Sequence, residues 1–148
     1  MKLQRLTLVF AQIALSACVM SALTPVRPET PPVEDSAQEY NNDLRWGRWH
    51  EAAERVEPER RNVFLGLMDD NVNPYRFTSV EVIHTEAKSS DGTEIDLLVA
   101  LEYYRLPSVE ERKVRQLQHW RYDVPTKKWV VTPDLSVLRE DVSGIGPK

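Results

Sequence analysis

The sequence predicts an α+β domain in which N-terminal helices pack on a curved antiparallel β-meander. Apolar residues recur at three- and four-residue steps up to about residue 68, the period changes to two from residue 77 onward, and short turn-forming stretches separate the later runs. Helices first and strands after them is an α+β order. The 148 residues are 41% hydrophobic and 28% charged, the composition of one globular core. A net charge of -4 argues against a broad basic face for nucleic acid. The single cysteine excludes an intrachain disulfide framework and a cysteine-rich zinc module.

The chain opens with Lys2 and Arg5, and an apolar run from Leu6 to Leu15 follows, broken only by Thr7 and Gln12. About ten apolar residues cover roughly 15 Å as a helix, half of a hydrocarbon layer of roughly 30 Å, so residues 1–17 suit a cleaved export leader better than a permanent span. The run ends in Leu15, Ser16, Ala17 and Cys18. This resembles the lipobox of bacterial lipoproteins. The resemblance implies a diacylglyceryl thioether on Cys18 and cleavage just before it. It also implies an anchor in the membrane, with Val19 in place of a retention-signal Asp favouring the outer membrane and a body facing the periplasm. Each buried methylene of such a chain contributes about 0.8 kcal/mol. The competing readings are a buried thiol, or cleavage at another small-residue site such as Ser16-Ala17 that releases the body.

Residues 18–38 carry Pro25, Pro28, Pro31 and Pro32 and read as an extended tether of at most about 3.1 Å per residue. Residues 39–138 form the predicted domain. Leu44, Trp46, Trp49, Ala52, Ala53 and Val56 make one apolar stripe of a first helix, with Asn42 or Asp43 as its N-cap. Pro58 ends that helix or starts the next. The second helix is predicted over Glu59–Met68, with Val63, Phe64, Leu67 and Met68 inward, and residues 69–74 form a turn.

Strands are predicted over Phe77–Ala87, Thr93–Leu106, Glu111–Val124 and Trp129–Thr132, and residues 139–148 as a flexible tail. Setting Leu97 opposite Trp120 and Tyr103 opposite Val114 gathers the apolar residues on one face of the second and third strands. It also sets Glu102 against Arg115 and Asp96 against Arg121 on the other face. A slip by two residues keeps the faces, so alternation fixes the face more firmly than the register. In the last hairpin Trp129 faces Tyr122 and Val131 faces Trp120.

The helix pattern Tyr40, Leu44, Trp46, Gly47, Trp49, Ala52, Ala53, Val56, with a meander ending in Gln118, Trp120, Tyr122 and Trp129, resembles the NTF2-like, or cystatin-like, cone. It is similar to the small lipid-anchored members of that superfamily in Gram-negative bacteria. That scaffold hosts enzymes, binding modules and machine parts, so the resemblance implies a fold and no activity.

Chemistry-bearing motifs are sparse. His50 begins His-Glu-Ala-Ala-Glu, where a zinc site needs a second histidine at Glu54. Asp69, Asn71 and Asn73 mimic a calcium loop, but Pro74 replaces its glycine and Val80 its last carboxylate. No metal and no cofactor is expected. His84 lies on a strand with Val80 and Val82 as a satisfied interior or edge histidine. Asp96, Glu102, Tyr104 and His119 fall on the charged face as a solvent-exposed ladder. Were that face a pocket, an Asp96–His119 pair would act as general base and orienter in an isomerase- or hydrolase-type enzyme. Trp46, Trp49 and Trp120 with Leu97 are expected in the core, or else lining a cavity for a small apolar or lipid-like ligand. The expected role is a non-enzymatic binding or assembly module, partnered by an envelope protein or such a ligand.

Overall fold

The computed structural model describes residues 30–72 and 74–143. The leader, Cys18 and the tether up to residue 29 lie outside the described residues, as does the tail from residue 144. Two helices, α1 (Val33–Arg45) and α2 (Trp49–Arg55), come first, followed by a 3-10 turn (Pro58–Arg60) and α3 (Arg61–Leu67). Then come β1 (Tyr75–Ala87), β2 (Glu94–Arg105), β3 (Arg112–Asp123), β4 (Lys128–Pro133) and a last helix, α4 (Ser136–Ser143). The strands form one antiparallel sheet in the order β1-β2-β3-β4, so the fold is α+β with an antiparallel meander.

The helical region departs from expectation in three places. α1 starts at Val33, so residues 33–38 belong to the folded body and are not extended tether. Val33, Ala37, Tyr40 and Leu44 are all buried at steps of four, three and four, a stripe that outweighs the local proline content once Pro32 has set the helix entry. The single helix predicted through Val56 is two, because Gly47 takes φ +66 after Arg45 and turns the chain. Asn42 and Asp43 therefore lie inside α1, not at an N-cap. Asp43 instead clamps the joint: its carboxylate accepts from Arg48 Nε at 2.8 Å and Arg55 Nη1 at 3.3 Å. On α3, Phe64, Leu67 and Met68 are buried as predicted, while Val63 is exposed, since it sits about a quarter-turn off the Phe64 face.

The strands fall within two residues of their predicted limits. The β3–β4 pairs Tyr122–Trp129 and Trp120–Val131 form as the alternation requires. Between β2 and β3 the register is two residues from the expected one: Ile95 faces Trp120, Leu97 faces Gln118, Asp96 faces His119 and Glu102 faces Lys113. The faces survive because the slip is even. The observed register joins Asp96 to His119 and Glu102 to Lys113, pairs that alternation cannot distinguish from the alternative. Residues 139–143, expected in a flexible tail, complete α4, which Leu138 anchors by its burial and by accepting a hydrogen bond from the Tyr75 hydroxyl at 2.9 Å.

The inner face of the sheet packs on the helices through Tyr40, Phe64, Tyr75, Tyr103 and Trp120, all buried, with Trp120 edge-on to Tyr40 at 5.8 Å. A short polar ladder crosses this core. Gln118 Nε2 donates to Asn41 Oδ1 at 3.0 Å, Trp120 Nε1 donates to Gln118 Oε1 at 3.3 Å, and Gln116 Nε2 donates to the Asp134 carbonyl at 3.1 Å. Buried amides survive in an apolar core only when so paired. β1 is an edge strand, bent by irregularities at Phe77/Ser79 and Val82/His84 that blunt it against edge-to-edge pairing.

Candidate functional site

The α1–α2 joint produces an aromatic cleft at the β1 edge. By ending α1 early, Gly47 swings Trp46 off the inner face, leaving it 68% exposed. Trp49, the first residue of α2, turns back and packs edge-on to Phe77 at 6.0 Å. Between them opens a cleft of about 430 Å³ walled by Trp46, Trp49, Phe77 and Tyr104. Its charged members are Arg45, Asp70 and Arg76. That volume falls in the range of small-molecule sites, roughly 300–1,000 Å³.

The electrostatics of the cleft are uneven. Arg76 is neutralised by Asp70, Nη1 to Oδ1 at 2.8 Å. Arg45 forms no ion pair among the described residues, and its guanidinium lies over the Trp46 ring at 5.7 Å. Trp49 Nε1 is buried and has no hydrogen-bond acceptor in the structure. A buried donor left without an acceptor costs about 1–3 kcal/mol, a cost that the buried Tyr40 hydroxyl of the core shares.

The four side chains expected in the core, or else lining one ligand cavity, are divided between the two. Trp46 and Trp49 line the cleft. Trp120 is fully buried in the packed core. Leu97 lies under α1 at a separate groove of about 230 Å³ beside Val33, Ala37, Val80 and Val82. The parting follows from Gly47, which breaks the helical stripe that the apolar spacing joins. Arg45, Asp70, Arg76 and Phe77 were not predicted at a site. The available signal was the glycine between two tryptophans, a left-handed turn that exposes one of them.

Asp96 and His119 do meet. His119 Nδ1 lies 2.6 Å from Asp96 Oδ1, and Lys88 Nζ approaches the other carboxylate oxygen at 3.8 Å. They stand on the outward face of the sheet, opposite the helices, in a row with Glu86 and Thr132. Glu102 and Lys113 continue the same ladder at 2.5 Å. The ionised carboxylate holds the Lys113 ammonium proton, raising its pKa above the ordinary lysine value. His50 and His84 are both exposed. Among the described residues no group of three or more His, Cys, Asp or Glu is placed to hold a metal ion.

A larger hollow of about 660 Å³ lies between the start of α1 and the β3–β4 turn. Two ion pairs stand at its wall: Arg55 pairs with Glu39, and Arg121 pairs with the neighbouring Glu57 at 3.0 Å. The Glu57 carboxylate also accepts from Thr132 Oγ1 at 2.8 Å. The Thr132 bond, then the Arg121 bond, holds its pKa below the usual carboxylate value, against a smaller opposing effect of burial. This hollow is a structural brace, with Trp129 Nε1 donating to the Pro31 carbonyl at 2.9 Å on one side of it. No family model matches the chain, and no curated protein matches its sequence.

Proposed function

We propose that this chain is a lipid-anchored protein of the bacterial envelope, facing the periplasm from the outer membrane, whose NTF2-like, cystatin-like cone acts by binding rather than by catalysis. The Trp46–Trp49 cleft is its binding site. The observation that carries this reading is a mostly exposed indole that walls, with Trp49, Phe77 and Tyr104, a cleft in which Arg45 forms no ion pair among the described residues. Its position supports the reading. Pro31, whose carbonyl accepts from Trp129, precedes α1, whereas the cleft lies past the other end of that helix. Thirteen residues of helix span about 20 Å, so the cleft stands about that far from the end of α1 that Cys18 precedes in sequence. Helices on one face of a bent antiparallel meander support the cone. The Asp96–His119 pair supports a surface ladder better than acid/base catalysis, because it stands on the outward face.

Two measurements test the proposal. Cys18→Ala is expected to abolish the mass increment of the acyl chains and to move the protein out of the membrane fraction. A bare thiol at Cys18 in the native protein overturns the anchor. A photoreactive phenylalanine analogue replacing Tyr104 in the cleft is expected to capture a ligand or partner in intact cells, while the same analogue replacing Leu117 on the outward face captures none. Equal capture at both positions, or none at the cleft, overturns the binding site.

A further inference from the structure

We infer that the cleft takes an acidic saccharide: a hydroxylated ring that carries a carboxylate. This rests on the reading of the Trp46–Trp49 cleft as a binding site and adds the chemical class of its ligand. The walls are indole and phenyl surface, which a ring covers face-on, and Trp46 presents most of its surface to solvent with nothing packed over it but the Arg45 guanidinium. A purely apolar or lipid-like ligand fits poorly, since it would desolvate Arg45, Asp70 and Arg76 without replacing their hydrogen bonds. A cationic ligand fits poorly too: Arg45 already occupies a face of Trp46, and two arginines stand against one carboxylate.

The remaining choice lies among anionic rings, and the donor and acceptor pattern decides it. Arg45, without an ion-pair partner among the described residues, is the counter-charge for a carboxylate. Asp70 is an acceptor, while Arg76 is a donor. Hydroxyl groups both give and take hydrogen bonds, so several on one ring satisfy Asp70 and Arg76 together. An aromatic acid has nothing to donate to Asp70. Ring stacking, a carboxylate on Arg45 and hydroxyls around Asp70 and Arg76 therefore account for the aromatic wall and the three charged groups of the cleft.

The test is a titration of the full-length lipidated protein in detergent micelles, followed by the four indole N–H signals in proton–nitrogen correlation spectra. Trp46→Phe and Trp49→Phe assign the two cleft signals. Three probes differ in one feature each: N-acetylmuramic acid; N-acetylglucosamine, the same ring without the lactyl carboxylate; and benzoate, a carboxylate without hydroxyls. N-acetylmuramic acid is expected to shift the Trp46 and Trp49 signals saturably and to bind at least about tenfold more tightly than either other probe, a difference of about 1.4 kcal/mol. The Trp120 and Trp129 signals stay in place. Arg45→Gln is expected to bring the two sugars to equal affinity, with the Trp120 and Trp129 signals showing that the fold is intact. The inference is overturned if neither sugar shifts the cleft signals, if benzoate binds as tightly as N-acetylmuramic acid, or if Arg45→Gln keeps the tenfold preference. Capture through the Tyr104 position with no sugar response would remove the ligand class and leave the binding site; failure of capture would remove the site itself.

Discussion

The four tryptophans divide into two pairs that share a residue type and little else. Trp120 and Trp129 stand on β3 and β4, are buried, and donate their N–H groups to Gln118 and to the Pro31 carbonyl. Trp46 and Trp49 flank Gly47 at the α1–α2 joint; one is mostly exposed and the other keeps a buried N–H with no acceptor. A strand fixes which side every second residue faces, so an indole in phase with Gln118 and Val131 has no course but inward. A helix interrupted by a left-handed glycine loses its phase, and the next side chain goes where the turn sends it. The first pair is held by packing and by paired N–H groups, whereas the second borders a cleft and leaves one indole mostly exposed.

The sharpest way to break this comparison is to truncate one member of each pair. Trp120→Ala is expected to lose about 3–5 kcal/mol of stability, since it removes a fully buried indole from between Tyr40 and the sheet. Urea unfolding checks it, and a loss under about 1 kcal/mol would show that the inner face is not the packed core described. The polar ladder comes next. Gln118→Leu leaves Trp120 Nε1 and Asn41 Oδ1 without their shared partner in the core, and is expected to cost about 2 kcal/mol. Thermal unfolding reads that loss, and an unchanged or raised midpoint would mean that the ladder contributes nothing to the strand-borne pair's burial.

Which parts were legible in the sequence follows from the same distinction. The period of two exposed all four strands, their inner face and the last hairpin's pairs, because alternation is a local property. It could not choose between registers two residues apart. That choice rests on contacts such as Asp96 with His119 and Glu102 with Lys113, each formed across strands by residues more than ten positions apart. In the helical region, Val33 and Ala37 carried the period of α1 across the edge of a proline-rich stretch, where composition masked it. Gly47 was visible as a residue but not as a break, since its φ depends on the joint that Asp43 holds together through Arg48 and Arg55. The cleft was therefore half legible: its two tryptophans could be named, while Asp70, Arg76 and Phe77 reach it only through the folding of β1 against α2.

The brace beneath the Pro31 end sharpens the comparison through pH. Glu57 has its folded pKa lowered, first by the Thr132 bond and then by Arg121. Its contribution is therefore full above the unfolded carboxylate pKa of about 4.3 and is lost as pH falls through the lower folded value. Glu57→Gln is expected to cost about 1 kcal/mol at neutral pH, the scale of a partly exposed charged hydrogen bond. Stability curves of the two proteins should then converge as the solution is acidified. A constant gap down to the acid limit would mean that the charge on Glu57 does nothing for the end that holds Trp129.

The smallest expected effect is the one that separates the pairs most cleanly. Trp46→Ala removes as many atoms as Trp120→Ala, but from a side chain that is 68% exposed and packed mainly beside Arg45. Its stability change is expected to stay within about 0.5 kcal/mol, as for surface positions generally, with an unchanged dependence on urea concentration. Capture through the photoreactive analogue at position 104 should nevertheless disappear, because the exposed ring is the larger wall of the cleft. A large loss of stability would return Trp46 to the packing class, and undiminished capture would take the cleft away from it. Either result would collapse the two pairs into one, whereas a stable protein that no longer binds requires that an indole was kept at the surface for something other than the fold.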